Sequence, residues 1–225
     1  MSILLVDGSY NAFYRIHATI AWYKFSHPEE KIDDDYNWME NSEFVSKIEK
    51  MYFKALEKII KKHSIDKGNI YFCLDCPRKD IWRMKLMDEY KGTRKNNKNL
   101  GNIFQFIYKE IIPKLIMEKK IKKISFNHAE ADDIIAVIKK NLRNKNEKQE
   151  IIIVANDHDY LQLLDDHTYL YNLKNKLLND KSSGDSEQDL FLKIVLGDGS
   201  DNIKKVFNRC GKKTALKYFN DRELF

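Results

Sequence analysis

Nine acidic side chains fall where they could act together: Asp7, Asp75, Glu130, Asp132, Asp133, Asp157, Asp159, Asp198 and Asp201. Several follow short apolar runs. Val6 precedes Asp7, Leu74 precedes Asp75, and Ile151-Ile152-Ile153-Val154-Ala155 precedes Asn156-Asp157-His158-Asp159. If such runs are parallel strands, their carboxyl ends share one sheet edge, where open α/β folds bind ligands. Carboxylates gathered there repel one another unless a positive charge neutralises them. A hard divalent cation with oxygen ligands does so, and Mg²⁺ or Mn²⁺ suits carboxylates better than Zn²⁺. Glu130-Ala131-Asp132-Asp133 opens a helical pattern, where acids also cap amides and complement the dipole. Three carboxylates in four positions exceed that need and point to a metal site. Asp133 alone fits either role, because adjacent residues on a helix point in different directions. Asp7-Gly8-Ser9 and Asn156-Asp157 equally suit turns and caps. Repetition at strand ends carries the metal reading.

Asp198 and Asp201 add two carboxylates in Gly197-Asp198-Gly199-Ser200-Asp201-Asn202-Ile203. Arg209-Cys210-Gly211-Lys212-Lys213-Thr214 then resembles a turn between short helices, whose amides and lysines could hold a phosphate. It is not a Walker loop, since the upstream glycine is missing and no strand precedes it. From 203 to 219 the charged residues are Lys204, Lys205, Arg209, Lys212, Lys213 and Lys217, with no acid among them. A solvated surface helix usually mixes signs, so this stretch favours phosphate contact.

The elements that would position these residues alternate. Branched and aromatic runs predict strands over 3–6, 70–74, 121–126, 151–155 and 168–171. Helical spacing predicts helices over 10–22, 43–63, 80–89, 103–118, 131–142, 158–165 and 189–196, the last after a polar break at 181–186. The alternation predicts an α/β fold with a mainly parallel sheet. Residues 27–41 read as a polar, acidic surface loop. Residues 90–101, with Lys91, Arg94, Lys95 and Lys98 among asparagines, read as a mobile basic segment.

Composition excludes other classes. The 225 residues are 43 % hydrophobic and 12 % aromatic, enough to build a core. No apolar run approaches the roughly 20 residues of a membrane helix, and no secretory signal is visible at the N-terminus. Cys73, Cys76 and Cys210 are an odd set, which suggests reduced thiols in an intracellular compartment such as cytoplasm, nucleus or a viral replication site. Cys73 and Cys76 have C-x-x-C spacing, but no second Cys/His pair completes a zinc site. Lys and Arg number 40 against 34 acids, a net charge of +6. Setting the nine clustered acids aside leaves 25 against 40, a basic remainder suited to nucleic acid.

Together, Val6-Asp7-Gly8, Leu74-Asp75, Tyr90-Lys91-Gly92-Thr93-Arg94, Ala129-Glu130-Ala131-Asp132-Asp133, Asp157-His158-Asp159 and Gly197-Asp198-Gly199-Ser200-Asp201-Asn202-Ile203 resemble the 5′-nuclease family of flap endonucleases and 5′–3′ exonucleases. The resemblance runs from Asp7 to about Tyr218. It implies a PIN-like core over 1–187 and a helical arch at about 78–118. It also implies a helix–three-turn–helix DNA-binding element over 188–225. It further implies two Mg²⁺ ions, replaceable by Mn²⁺. Asp7, Asp75, Glu130, Asp132 and Asp133 would form one metal group; Asp157, Asp159, Asp198 and Asp201 would form the other. Lys91 and Arg94 are similar to the pair that engages the scissile phosphate, Tyr90 to the aromatic on which a terminal base stacks, and Arg15 to a phosphate-binding residue of the first helix. Lys204, Lys205, Arg209, Gly211, Lys212, Lys213 and Thr214 would contact duplex DNA.

Two departures stand out. Lys204-Lys205 replaces the family's Pro-Gly, and Asn208-Arg209-Cys210-Gly211 keeps one glycine of Gly-Ile-Gly. The second bears against the K⁺ ion that some members bind there, not against DNA contact. No sliding-clamp peptide is visible, and the expectation is a monomer acting on 5′-ended or 5′-flap DNA. Two other readings share the carboxylates: a PIN-type ribonuclease, which lacks the basic 197–218 element, and a non-catalytic DNA-structure-binding protein.

Overall fold

The computed structural model describes residues 1–93, 98–221 and 223, without the side chain of Lys98. The expected roles of Arg94 and Lys95 therefore lie outside the described residues. Five strands form one sheet: β1 (Ile3–Asp7), β2 (Ile70–Cys73), β3 (Lys122–Ile124), β4 (Ile151–Val154) and β5 (Thr168–Tyr171). Their order is β3-β2-β1-β4-β5 and every pairing is parallel, as the strand–helix alternation predicts. β1 and β4 are buried almost throughout, and so read as unbroken apolar runs rather than alternating ones. Alternation governs direction instead. Leu4, Val6, Phe72, Ile152 and Val154 feed one core, while Ile3, Leu5, Cys73, Ile151 and Ile153 feed the other.

The first face is covered by α1 (Gly8–Ser26), α2 (Ser42–Lys62), α3 (Lys98–Phe106) and α4 (Ile112–Lys119). A π-turn at Ile107–Ile111 joins the last two. Ile103, Ile107, Ile111, Ile112 and Leu115 are fully buried there, so this half of the expected arch span is core. α5 (Ala131–Lys145) covers the opposite face through Ile134 and Ile135. α6 (Ser186–Leu196) and α7 (Lys212–Asn220) make a smaller core from Phe191, Leu192, Val195, Cys210 and Ala215.

Three expectations need correction. The helix expected over 80–89 is two 3₁₀ turns, Arg78–Asp80 and Trp82–Lys85, followed by turns. Ile81, Met84, Met87 and Tyr90 pack together, a spacing of three that suits 3₁₀ eclipsing better than an α-helical stripe. The segment 158–165 is likewise a 3₁₀ turn, His158–Leu163. Residues 27–41 are not merely a surface loop: Trp38 is 5 % exposed and packs on Tyr23, Tyr36 and Phe44.

Because all strands run one way, their carboxyl ends coincide. The chain leaves β1 toward β2 and β3, then returns to β4 and β5, so the switch point lies between β1 and β4. Gly8 keeps that turn tight: a Cβ there would meet the Leu74 and Phe72 side chains at 2.4 and 2.7 Å. Among the described residues no helix is long and apolar enough to cross a membrane. The three cysteines are free and buried.

Candidate active site

Asp7 ends β1 and caps α1, accepting from Tyr10 N–H at 2.8 Å and from the Tyr160 hydroxyl at 2.9 Å. Burial first, and the nearby Asp75 second, push its carboxyl up to about 7, with Asp157 adding to the effect. Asp75, just past β2, accepts the Ala131 amide at 2.7 Å and so ties β2 to the start of α5. Glu130 is the N-cap of that helix and is 2 % exposed. Asp132, in its first turn, is also pushed up to about 7, chiefly by burial. Arg83 works against the shift, and Asp133 and Glu130 add to it. Asp7 with Asp75, and Asp132 with Glu130, are therefore close enough to repel, and burial opposes the ionisation of Asp7 and of Asp132.

The chain's own cations answer this charge. Lys91 Nζ bonds Glu130 and lies 3.9 Å from Asp201. Arg83 Nη1 donates to Glu130 Oε2 at 2.9 Å, and its two terminal nitrogens grip Asp133 at 2.9 and 2.8 Å. Asp133 also accepts the Trp82 indole N–H at 3.2 Å and the Glu130 amide at 3.0 Å. Four donors meet its oxygens. It anchors the Trp82–Lys85 turn to α5, the capping alternative its position allowed. Tyr90 departs from its expected role. Its ring is 3 % exposed and offers no face for a base; its hydroxyl reaches Glu130 Oε2 at 2.8 Å and Asp201 Oδ2 at 3.1 Å.

Around the second group, Asp157 caps the His158–Leu163 turn, accepting from Asp159 N–H at 3.1 Å. Asp159, Asp198 and Asp201 offer oxygens within 4.8 Å of one another. Lys193 of α6 bonds Asp198 and pairs with Asp159 as well, its Nζ 2.5 Å from Asp159 Oδ1. Burial works to raise Asp198, but Lys193 and Ser200 outweigh it and hold the carboxyl at about 2. Asp159 is raised by burial despite Lys193. The all-oxygen donor set of Asp159, Asp198 and Asp201 fits a hard divalent cation. Arg83 and Lys193 escaped the sequence reading, because neither lies in a motif and both reach the acids only through tertiary packing.

A cleft of about 1000 Å³ opens beside this group, lined by Asp157, His158, Lys193, Asp198, Ser200 and Lys212 among others. Lys212 thus shares a cleft with the aspartates. Gly211 is the N-cap of α7, and Lys204, Lys205, Arg209, Lys212 and Lys213 are exposed while Thr214 is partly buried. Arg209 takes the left-handed conformation, φ 60°, that a glycine would adopt more cheaply. The turn is also joined to the Lys91 segment: Lys91 N–H donates to Asp201 O at 3.0 Å, and Asn202 Nδ2 to Glu89 O at 3.0 Å. Arg15 does not face an open surface. It is 8 % exposed, sits 5.1 Å from the Tyr14 ring centroid, and leaves Nε without a partner.

A family model described as "5′-3′ exonuclease, N-terminal resolvase-like domain" matches residues 2–188. A 5′-3′ exonuclease of Mycoplasmopsis pulmonis is 31 % identical over 183 residues, which cover 77 % of this chain and 58 % of that protein. The chain thus spans less than two thirds of that relative's length. Two solved structures share the fold. One is the phage T5 5′-exonuclease with bound zinc, at TM-score 0.68 and 19 % identity over 98 % of this chain and 75 % of that one. The other is the bacteriophage T5 flap endonuclease in a pseudo-enzyme–product complex with DNA and metal ions, at TM-score 0.67, 18 % identity and the same coverage. With 187 consecutive residues matching the model, the chain belongs to the 5′-3′ exonuclease family, through its N-terminal resolvase-like domain.

Proposed function

We propose that this protein is a divalent-metal-dependent 5′-nuclease that hydrolyses DNA phosphodiesters near 5′ ends or 5′ flaps. The observation that carries the reading is the convergence of Asp7, Asp75, Glu130 and Asp132 beside Asp157, Asp159, Asp198 and Asp201 at one sheet edge. Asp7, Asp75, Glu130 and Asp132 would hold one Mg²⁺ and the other four a second, with Mn²⁺ able to substitute. Such ions, when bound, polarise a phosphodiester oxygen and lower the pKa of an attacking water.

The chain's own residues do the rest. Lys91, held by Glu130, would offset charge developing on the phosphoryl oxygens, a preorganised electrostatic contribution. Arg94 is proposed as its neighbour in this task. Tyr90 keeps Glu130 and Asp201 at a fixed separation through one hydroxyl. Lys204, Lys205, Arg209, Lys212 and Lys213, with the Gly211 and Thr214 amides, would track the duplex backbone, making binding sequence-tolerant and steeply salt-dependent. The α6–α7 pair would serve as the helix–three-turn–helix grip over 188–225, attached to a catalytic core over 1–187. The protein would act as a monomer in a reducing intracellular compartment, where its three free cysteines stay reduced.

The test compares a 5′-flap DNA with single-stranded RNA, first in EDTA and then after Mg²⁺ addition. Cleavage of the flap on adding Mg²⁺ supports the reading. Cleavage of RNA alone would assign a PIN-type ribonuclease, and binding without cleavage a structural DNA-binding protein.

A further inference from the structure

We propose that Trp82 is the stacking face for an unpaired nucleobase at the mouth of the carboxylate site. The inference rests on the nuclease reading above and adds a contact that the family motifs do not place. Trp82 is 43 % exposed although the protein holds it at several points. Its indole N–H donates to Asp133 Oδ2 at 3.2 Å, its backbone N–H to His128 O at 3.0 Å, and the Arg83 guanidinium carbon lies 4.8 Å from its ring centroid. Asp133 follows Asp132, and Arg83 also grips Glu130, so the indole is fixed one residue away from the metal-binding acids. An aromatic ring that is pinned yet open to solvent has already lost its rotamer freedom and can bind a flat partner at low entropic cost.

The surroundings select the partner. Lys79 and Lys85 are exposed on the same two turns, and Leu86, 77 % exposed, extends the apolar surface. A ring next to cations is the combination that single-stranded nucleic acid uses, stacking for bases and charge for phosphates. Tyr90 cannot serve, because its ring is buried and its hydroxyl is committed to Glu130 and Asp201. Phe13, 53 % exposed on α1, and Phe126, 62 % exposed just past β3, are open rings too, but Phe13 is packed on His17 at 4.3 Å and neither ring is held by an acid of the cluster as Trp82 is by Asp133.

The experiment is a double-mutant cycle between protein and DNA, measured as binding in EDTA, with a 5′-flap carrying 2-aminopurine or an abasic site at successive flap positions. Stacking predicts one position where wild type quenches 2-aminopurine and where an abasic site weakens binding about 5- to 100-fold. Trp82→Ala should lose the quench and weaken binding by a similar factor, with no further loss on the abasic flap. Trp82→Phe, which keeps a face but drops the Asp133 bond, should retain most of both. If the Trp82→Ala and abasic effects multiply, or the coupling belongs to Phe13→Ala or Phe126→Ala instead, the stacking assignment is wrong while Mg²⁺-dependent cleavage by wild type would leave the nuclease reading intact. A wild-type protein that neither binds nor cleaves the flap overturns both.

Discussion

Replacing Asp7 with Asn should stabilise the metal-free protein while removing a ligand of the proposed metal site, and the stabilisation should depend on pH. The Asp7 carboxyl rises from 3.8 to about 7 on folding, mainly through burial and then through Asp75. Between those values the unfolded chain has released its proton and the folded chain has not. Folding stability therefore falls as pH rises from about 4 to 7 and levels off above. At 1.36 kcal/mol per unit the ceiling is about 4 kcal/mol. Relaxation of Asp75 and Asp157 and hydration of the pocket halve this to about 2 kcal/mol. Asn retains an acceptor for Tyr10 N–H and can donate to the Tyr160 oxygen, whose own O–H then loses its acceptor and takes back part of the gain. Urea unfolding in EDTA should show Asp7→Asn more stable than wild type by about 2 kcal/mol at pH 8, equivalent to about 4–8 °C in Tm, with the gap closing near pH 4. Saturating Mn²⁺ should reverse the order, because only wild type gains from binding. A gap of equal size at both pH values, or a less stable Asp7→Asn at pH 8, would refute the reasoning.

Further outcomes follow from the same geometry. Asp133→Asn should leave the number of Mn²⁺ ions bound, read by calorimetry, unchanged while loosening the Trp82–Lys85 turn; loss of an ion would return Asp133 to the metal group. Tyr90→Phe keeps the ring and removes both bonds to Glu130 and Asp201, so it should weaken Mn²⁺ binding several-fold, and a variant with native metal affinity would show the bridge to be idle. Alanine at both Lys212 and Lys213 should flatten the salt dependence of duplex binding by about two units of slope if each meets a phosphate. An unchanged slope would remove α7 from the duplex contact.

Much of the fold is legible because parallel strands announce themselves. Ile3–Asp7, Ile70–Cys73, Ile151–Val154 and Thr168–Tyr171 are short apolar runs, and the acids at or just after the ends of the first three mark the edge where they end. Lys122–Ile124 is shorter than the sequence suggests, being an edge strand with only one neighbour to pair with. The 80–89 segment misleads because a stripe of spacing three resembles a helical one over so short a span. Trp38 looks like part of a polar loop until Tyr23 and Phe44, brought in from two helices, enclose it. The same limit governs the site. Residue type and position announce the acids, but not which cation meets which acid. Tyr90 stands in a motif that implies an open ring, yet the ring is buried and its hydroxyl reaches Glu130 and Asp201, residues 40 and 111 positions away. Arg83 and Lys193 are ordinary basic residues in sequence and become the counter-charges of the site only in the folded chain.

The most direct measurement follows a labelled 5′-flap DNA under single-turnover conditions, with wild type and Asp75→Asn each bound in EDTA before Mg²⁺ is added. Wild type should stay inert until Mg²⁺ arrives and then cut near the junction, whereas Asp75→Asn should bind the flap and leave it intact. Cleavage in EDTA, or wild-type cleavage by Asp75→Asn, would contradict a catalytic metal site built on these carboxylates.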